Sequence, residues 1–104
     1  MDREPPLVRE VHPELVAELA ALLEAEGERD LAIVAHDIRL VRACECVDDF
    51  CQSFYTADHP PGTKFGEGHR TVALLPEVGM LNLDVVFGRI VYVEVLGRPP
   101  LRTR

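Results

Sequence analysis

The stretch CECVDDFC, residues 44–51, holds all three cysteines of the 104-residue chain. Side chains at i and i+2 of a strand share one face, so a tight reversal after Cys46 would set Cys51 beside Cys44 and Cys46. Zinc takes about four thiolate or imidazole ligands in a tetrahedron. His59 and His69, in and beside the segment DHPPGTKFGEGH, are the imidazoles that could complete such a set. The candidate metal ligands are therefore Cys44, Cys46, Cys51, His59 and His69. The spacing C-x-C-x4-C is not that of a standard zinc knuckle, and two other readings compete. Cys46 and Cys51, directly opposed across a hairpin, could form a reversible disulfide. Alternatively, the thiols are small hydrophobes on a half-buried strand surface, which is the preferred reading. Nucleophilic cysteine chemistry is disfavoured, because Asp48 and Asp49 beside the thiols would raise their pKa rather than lower it. No cofactor is expected; zinc is the ion that these thiols could hold.

Other groups carry less. Asp48 and Asp49 are turn formers. Asp84 and Glu94 fall on one face of a predicted sheet, but the expected register sets Asp84 opposite Ile90 and Glu94 opposite Met80, well apart. His12 belongs to a helix cap and His36 to a helix surface. The chain contains no glycine-rich phosphate loop, no Ser-His-Asp order and no HExxH. No catalytic residue is assigned.

The formal net charge is −7. Residues 1–57 carry 13 acids against 5 bases, while residues 58–104 carry 5 against 6. An acidic half repels phosphates, which argues against nucleic acid as a partner; the acids read first as a solvated helical face, with docking of a basic partner as the alternative. No apolar run approaches the roughly 18 residues of a membrane span, and MDREPPLVRE is not a secretory leader. A cytoplasmic location is expected, where an odd set of three cysteines stays reduced.

The elements that must position these groups follow from periodicity. Residues 1–11 are expected to be a tail and residues 12–104 a single domain. His12 and Pro13 open a helix, proline suiting its first position. Leu15, Val16, Leu19, Leu22 and Leu23 recur at helical spacing, and Gly27 closes the run as a left-handed cap. Leu31, Val34, Ala35 and Ile38 step as a short second helix. The period then changes to two. Residues 39–46 and 51–57 form a hairpin that pairs Arg42 with Tyr55, with Val41, Ala43, Phe54 and Thr56 on the core face. Residues 58–69 are a long irregular loop, and long loops often serve function. Residues 71–75, 79–86 and 89–96 are strands. Pro76–Gly79 makes a turn pairing Leu74 with Leu81 and Val72 with Leu83. For the last turn, a three-residue loop with a bulge at Gly88 is chosen, pairing Leu81 with Val93 and Leu83 with Val91; a plain two-residue Phe87-Gly88 turn would mix apolar and polar faces. The fold class is α+β: two amino-terminal helices packed on a five-stranded antiparallel sheet.

The runs CECVDDFCQSFYTA and GHRTVALLPEVGMLNLDVVFGRIVYVEVLGRP resemble a group of small uncharacterised actinobacterial proteins with a Cys-x-Cys-x-Asp-Asp-x-Cys-x-Ser-Phe-Tyr-Thr segment and a Gly-His-Arg. The likeness spans residues 38–99. The final hairpin is also similar to a wider bacterial family of domains of unknown function. Neither resemblance implies an activity. Members often carry glycine where this chain has Val47 and aspartate where it has Phe87, so both turns are less ideal here. The first functional expectation is a non-enzymatic binding or protein-interaction module, a small homo-oligomer or a partner for another protein. The second is a metal- or redox-responsive module built on the cysteines. The third is a small enzyme with the 58–69 loop as a lid.

Overall fold

The computed structural model describes residues 4–43, 51–60 and 64–101. Helices α1 (Val8–Val11), α2 (Pro13–Ala25) and α3 (Arg29–Val34), the last running into a 3-10 turn at Ala35–Asp37, pack on one face of an antiparallel sheet. Its strands are β1 (Arg42–Ala43), β2 (Phe54–Tyr55), β3 (His69–Leu74), β4 (Met80–Val86) and β5 (Arg89–Leu96), in the order β1-β2-β5-β4-β3. The α+β class and the five antiparallel strands are those expected from the sequence.

The helical stripe buries as its spacing requires: Leu15, Val16, Leu19 and Leu23 of α2 meet Leu31 and Ala32 of α3 and the sheet side chains Val72, Leu74, Leu81, Leu83, Val93 and Val95. Fully burying an aliphatic side chain of this size contributes about 1.5–3 kcal/mol. Pro13 takes the first turn of α2. At its other end Gly27 has φ +79°, while Glu28 N–H donates to the Leu23 carbonyl at 2.8 Å and Gly27 N–H to that of Glu24 at 3.0 Å. These two bonds satisfy carbonyls that the helix end would leave open. Glu28 then precedes α3 and accepts both guanidinium nitrogens of Arg70 at 2.9 Å, tying the helix layer to β3. The hydrogen bond from Arg70 holds the Glu28 carboxyl below its ordinary 4.5.

Three expectations are corrected. Of the segment expected to be a tail, the described residues 4–11 are tied to the fold: Val8 is completely buried, its N–H donates to the Ile38 carbonyl at 2.9 Å, and Leu40 N–H donates to that of Pro6 at 2.8 Å. The apolar pair Leu7-Val8 gives this segment something to bury, and its proline contributes an acceptor. Ala43, expected in the core, is exposed, because β1 is the outermost strand and the helix-side cluster does not extend over it.

The third correction concerns the last hairpin. The turn is the two-residue Phe87-Gly88, with Val86 paired to Arg89 and Val85 to Ile90. The face mixing that it would cause is removed one step further on. Asp84 pairs with Tyr92, leaving Val91 as an extra residue in β5; beyond it Leu83 meets Val93 and Leu81 meets Val95. The bulge exists, but inside the strand rather than in the turn. It allows adjacent Ile90 and Val91 both to be buried.

That turn gives Phe87 φ 48° and Gly88 φ 78°. Left-handed backbone at both positions is the turn that twisted hairpins favour, and it prefers Asn or Asp first. Phe87→Asn keeps the main-chain bond from residue 87 N–H to the Gly68 carbonyl (3.2 Å) and removes a strained, 77% exposed aromatic. It should stabilise by about 0.5–1 kcal/mol, raising the melting temperature by a few degrees. Gly79 is the opposite case: φ is +69°, and a Cβ there would collide with the Leu96 and Gly97 carbonyl oxygens. Gly79→Ala should cost more than about 2 kcal/mol, lowering the melting temperature by roughly 10 °C in a calorimetric scan. An unchanged melting temperature would contradict the close approach at this turn.

Candidate functional site

The sheet face away from the helices carries the chain's chemical variety. The pleat sends Thr71, Asn82, Asp84, Tyr92 and Glu94 to this side, all at least partly exposed. Tyr55 joins them from β2, level with Tyr92. Because β2 pairs with β5 rather than β3, the chain leaving β2 must pass two strands to begin β3. Strands lie about 4.8 Å apart, which is why the connection is long.

The described parts of that connection lay rings in series. Tyr92 and Tyr55 have centroids 4.6 Å apart. Tyr55 stacks on His59 at 6.3 Å, His59 on Phe65 at 4.4 Å, and Phe65 leans on His69 at 5.0 Å. The row runs from β5 through β2 and the loop to the start of β3. Arg42 anchors one end: its guanidinium lies 4.6 Å above the Tyr55 ring and donates to the His59 carbonyl. The expected Arg42–Tyr55 register is the one present.

Polar pairs complete the face. His69 Nε2 lies 2.8 Å from Asp84 Oδ1, and Thr71 Oγ1 donates to the same oxygen at 3.0 Å. Asn82 Nδ2 donates to Glu94 Oε1 at 2.7 Å. Asp84 and Glu94 do not have the expected partners: the bulge shifts them opposite Tyr92 and Asn82, onto successive cross-strand pairs. The two carboxylates are therefore diagonal neighbours on one face, each held by a nearby side-chain donor.

The metal candidates are only partly brought together. Cys44 and Cys46, like Asp48 and Asp49, lie outside the described residues. Cys51 is half-buried, bridges to Leu96 in the ladder, and has its Sγ 3.3 Å from Ser53 Oγ. His59 and His69 both contact the Phe65 ring, and His69 Nε2 faces Asp84. Among the described residues, no three His, Cys, Asp or Glu side chains are grouped to hold a metal ion. Asp58 borders a cavity of about 450 Å³ with an apolar floor of Val34, Ile38 and Ile90. His69 and Asp84 do not line it.

Phe65 and Tyr92 were missed as site residues, and so was Ser53. The spacing of rings at 55, 59, 65 and 69 across a glycine-rich loop was the available signal. Ser53 is 2% exposed, and its Oγ accepts the Val95 N–H at 2.9 Å. Burial pushes the Tyr92 phenol above the ordinary 10.0, and the Ser53 side chain partly offsets that rise.

Two outcomes follow. Ser53→Ala leaves the buried Val95 N–H without its acceptor and should cost about 1–3 kcal/mol in urea unfolding. Above pH 10.0 the unfolded chain releases the Tyr92 proton while the folded chain retains it. The folded state then binds more protons, so stability should fall as pH rises through that window, and Tyr92→Phe should remove this component.

No helix among the described residues is long and apolar enough to cross a membrane. No family model, curated protein or solved structure matches the chain, so the meaning of this face rests on its own residues.

Proposed function

We propose that the chain is a non-enzymatic interaction module that works as a small homo-oligomer, with the open side of its sheet as the working surface. The observation that carries this is the concentration of exposed apolar side chains at the β3–β4 tip. Leu75 is 76% exposed, Val78 53% and Met80 50%, within six consecutive residues. Leu75 and Met80 lie on the open side, since their neighbours Leu74 and Leu81 point to the helices. A concentrated apolar surface of this kind marks interaction sites, and here it adjoins the polar and aromatic face described above. The ring series supports the same reading: stacked aromatic side chains form a rigid platform suited to contact, as in interfaces where Tyr and Phe are enriched.

Sedimentation velocity on the full chain tests it. The expected mass is at least twice 11.6 kDa at submillimolar concentration. The double variant Leu75→Asp, Met80→Asp should shift the species toward monomer with its circular dichroism unchanged, because both positions are exposed. A wild-type chain that stays monomeric from micromolar to submillimolar concentration overturns the proposal.

A further inference from the structure

The main chain of β3 carries an unsatisfied edge whose direction can be worked out. Phe87 N–H donates to the Gly68 carbonyl, one step beyond the His69–Val86 pair of the β3–β4 ladder. Residues 68 and 87 are thus a hydrogen-bonded pair. In antiparallel ladders bonded and non-bonded pairs alternate, so Arg70–Val85, Val72–Leu83 and Leu74–Leu81 are the other bonded pairs. The same parity holds across the sheet: Gln52 N–H reaches the Val95 carbonyl, Thr56 N–H that of Val91, and Val41 N–H that of Tyr55. His69, Thr71 and Ala73 therefore aim their N–H and C=O groups away from β4, off the sheet. Among the described residues no hydrogen bond meets these groups on that side.

The edge lacks the usual protections. β3 is six residues long, against two in the opposite edge strand β1. It contains no proline, no lysine and no bulge, the devices that keep an edge from pairing. Its charges are occupied on the protein's own side: Arg70 by Glu28, and His69 by Asp84. The outward residues at its centre, Thr71 and Ala73, are small.

We infer that this edge is closed by β3 of a second copy, antiparallel about a two-fold axis, so that one sheet runs through both chains. An isologous pairing must bring outward groups to outward groups. Centring the axis on Val72 does so: Thr71 meets Ala73 of the second copy, Ala73 meets its Thr71, and His69 meets its Leu75. On the helix side Val72 faces Val72 and Arg70 faces Leu74, so no like charges are opposed. The same pairing sets the exposed Leu75 of each copy against the other chain and extends the apolar layer through Val72 and Leu74. A second copy fits because this strand is complementary to itself. The inference rests on the homo-oligomer reading above and names its interface.

Amide hydrogen exchange by NMR on the full chain tests it, at a concentration where sedimentation shows dimer and after dilution to monomer. The amides of His69, Thr71 and Ala73 should exchange at least about tenfold more slowly in the dimer, while those of Arg70, Val72 and Leu74 are protected in both. Ala73→Pro removes an outward N–H without touching a bond to β4, and should weaken dimerisation by more than about tenfold. If that variant does not fold, the exchange pattern of the wild type decides alone. A dimer whose three outward amides exchange as fast as in the monomer overturns the β3 interface and leaves the homo-oligomer standing. A chain that is monomeric throughout overturns both.

Discussion

β5 bonds to β4 on one side and β2 on the other, and the protein works only if its pleat is in phase with both. A two-residue turn fixes Val86 against Arg89. Carried on without interruption, that register would set Leu83 against Tyr92, sending one apolar and one polar side chain to the same face. The extra residue Val91 absorbs the mismatch. From there inward, Leu81, Leu83, Val93 and Val95 all face the helices and are completely buried, while Asn82, Asp84, Tyr92 and Glu94 all face the other way. Both the core and the open face are consequences of that one inserted residue. The same shift brings Asp84 level with Tyr92 and Glu94 level with Asn82, which makes the polar pairs of the open face continuous.

The topology makes the second demand. Placing β5 between β2 and β4 forces the chain to pass two strands before β3 can begin. Such a span would ordinarily be loose. Here Tyr55, His59, Phe65 and His69 make ring contacts at each stage, so the described connection is bound to the sheet by these contacts rather than by a ladder. The last link depends on Phe87, whose N–H holds the Gly68 carbonyl and whose ring lies where a side chain at Gly68 would otherwise sit. A left-handed phenylalanine costs about 1–2 kcal/mol relative to a residue at ease there. The main-chain N–H of residue 87 joins the β4–β5 turn to the entry of β3 whatever side chain stands there. The strain therefore sits at the junction of loop and sheet, not inside the core.

These elements were unequally legible in the sequence. α2 was plain, because proline, a leucine stripe and a capping glycine all point to one helix. The β3–β4 register was legible too, since only one pairing buries Val72, Leu74, Leu81 and Leu83 together. The final hairpin was half legible. The apolar pattern required a bulge, but a pattern fixes only the phase, and either a longer turn or an extra residue in the strand restores it. Residues 5–11 were misleading because charge and proline resemble a tail, whereas Val8 is completely buried beneath a long-range pairing with Ile38. Local periodicity is blind to a contact made across thirty positions. The site was least legible. Cysteine spacing drew attention to chemistry, while the ring series depends on strand order, which no short motif encodes.

Strand order also divides the molecule electrically. Glu14 and Glu24 of α2 are exposed on a helix whose apolar stripe is closed against the sheet, while Glu18 accepts from Arg98. The acids on the other side are held by neighbours: Asp84 by His69 and Thr71, Glu94 by Asn82. Arg70, the charge on β3 itself, is bound to Glu28 at the junction of the helix layer and the edge strand. A bidentate guanidinium–carboxylate pair fixes both partners in orientation as well as in charge. The Arg70 charge of the edge strand is thus compensated, and the residues at the strand's centre, Thr71 and Ala73, are small. Within a chain of net charge −7, β3 thus has its ionisable side chains already partnered inside the fold, Arg70 by Glu28 and His69 by Asp84.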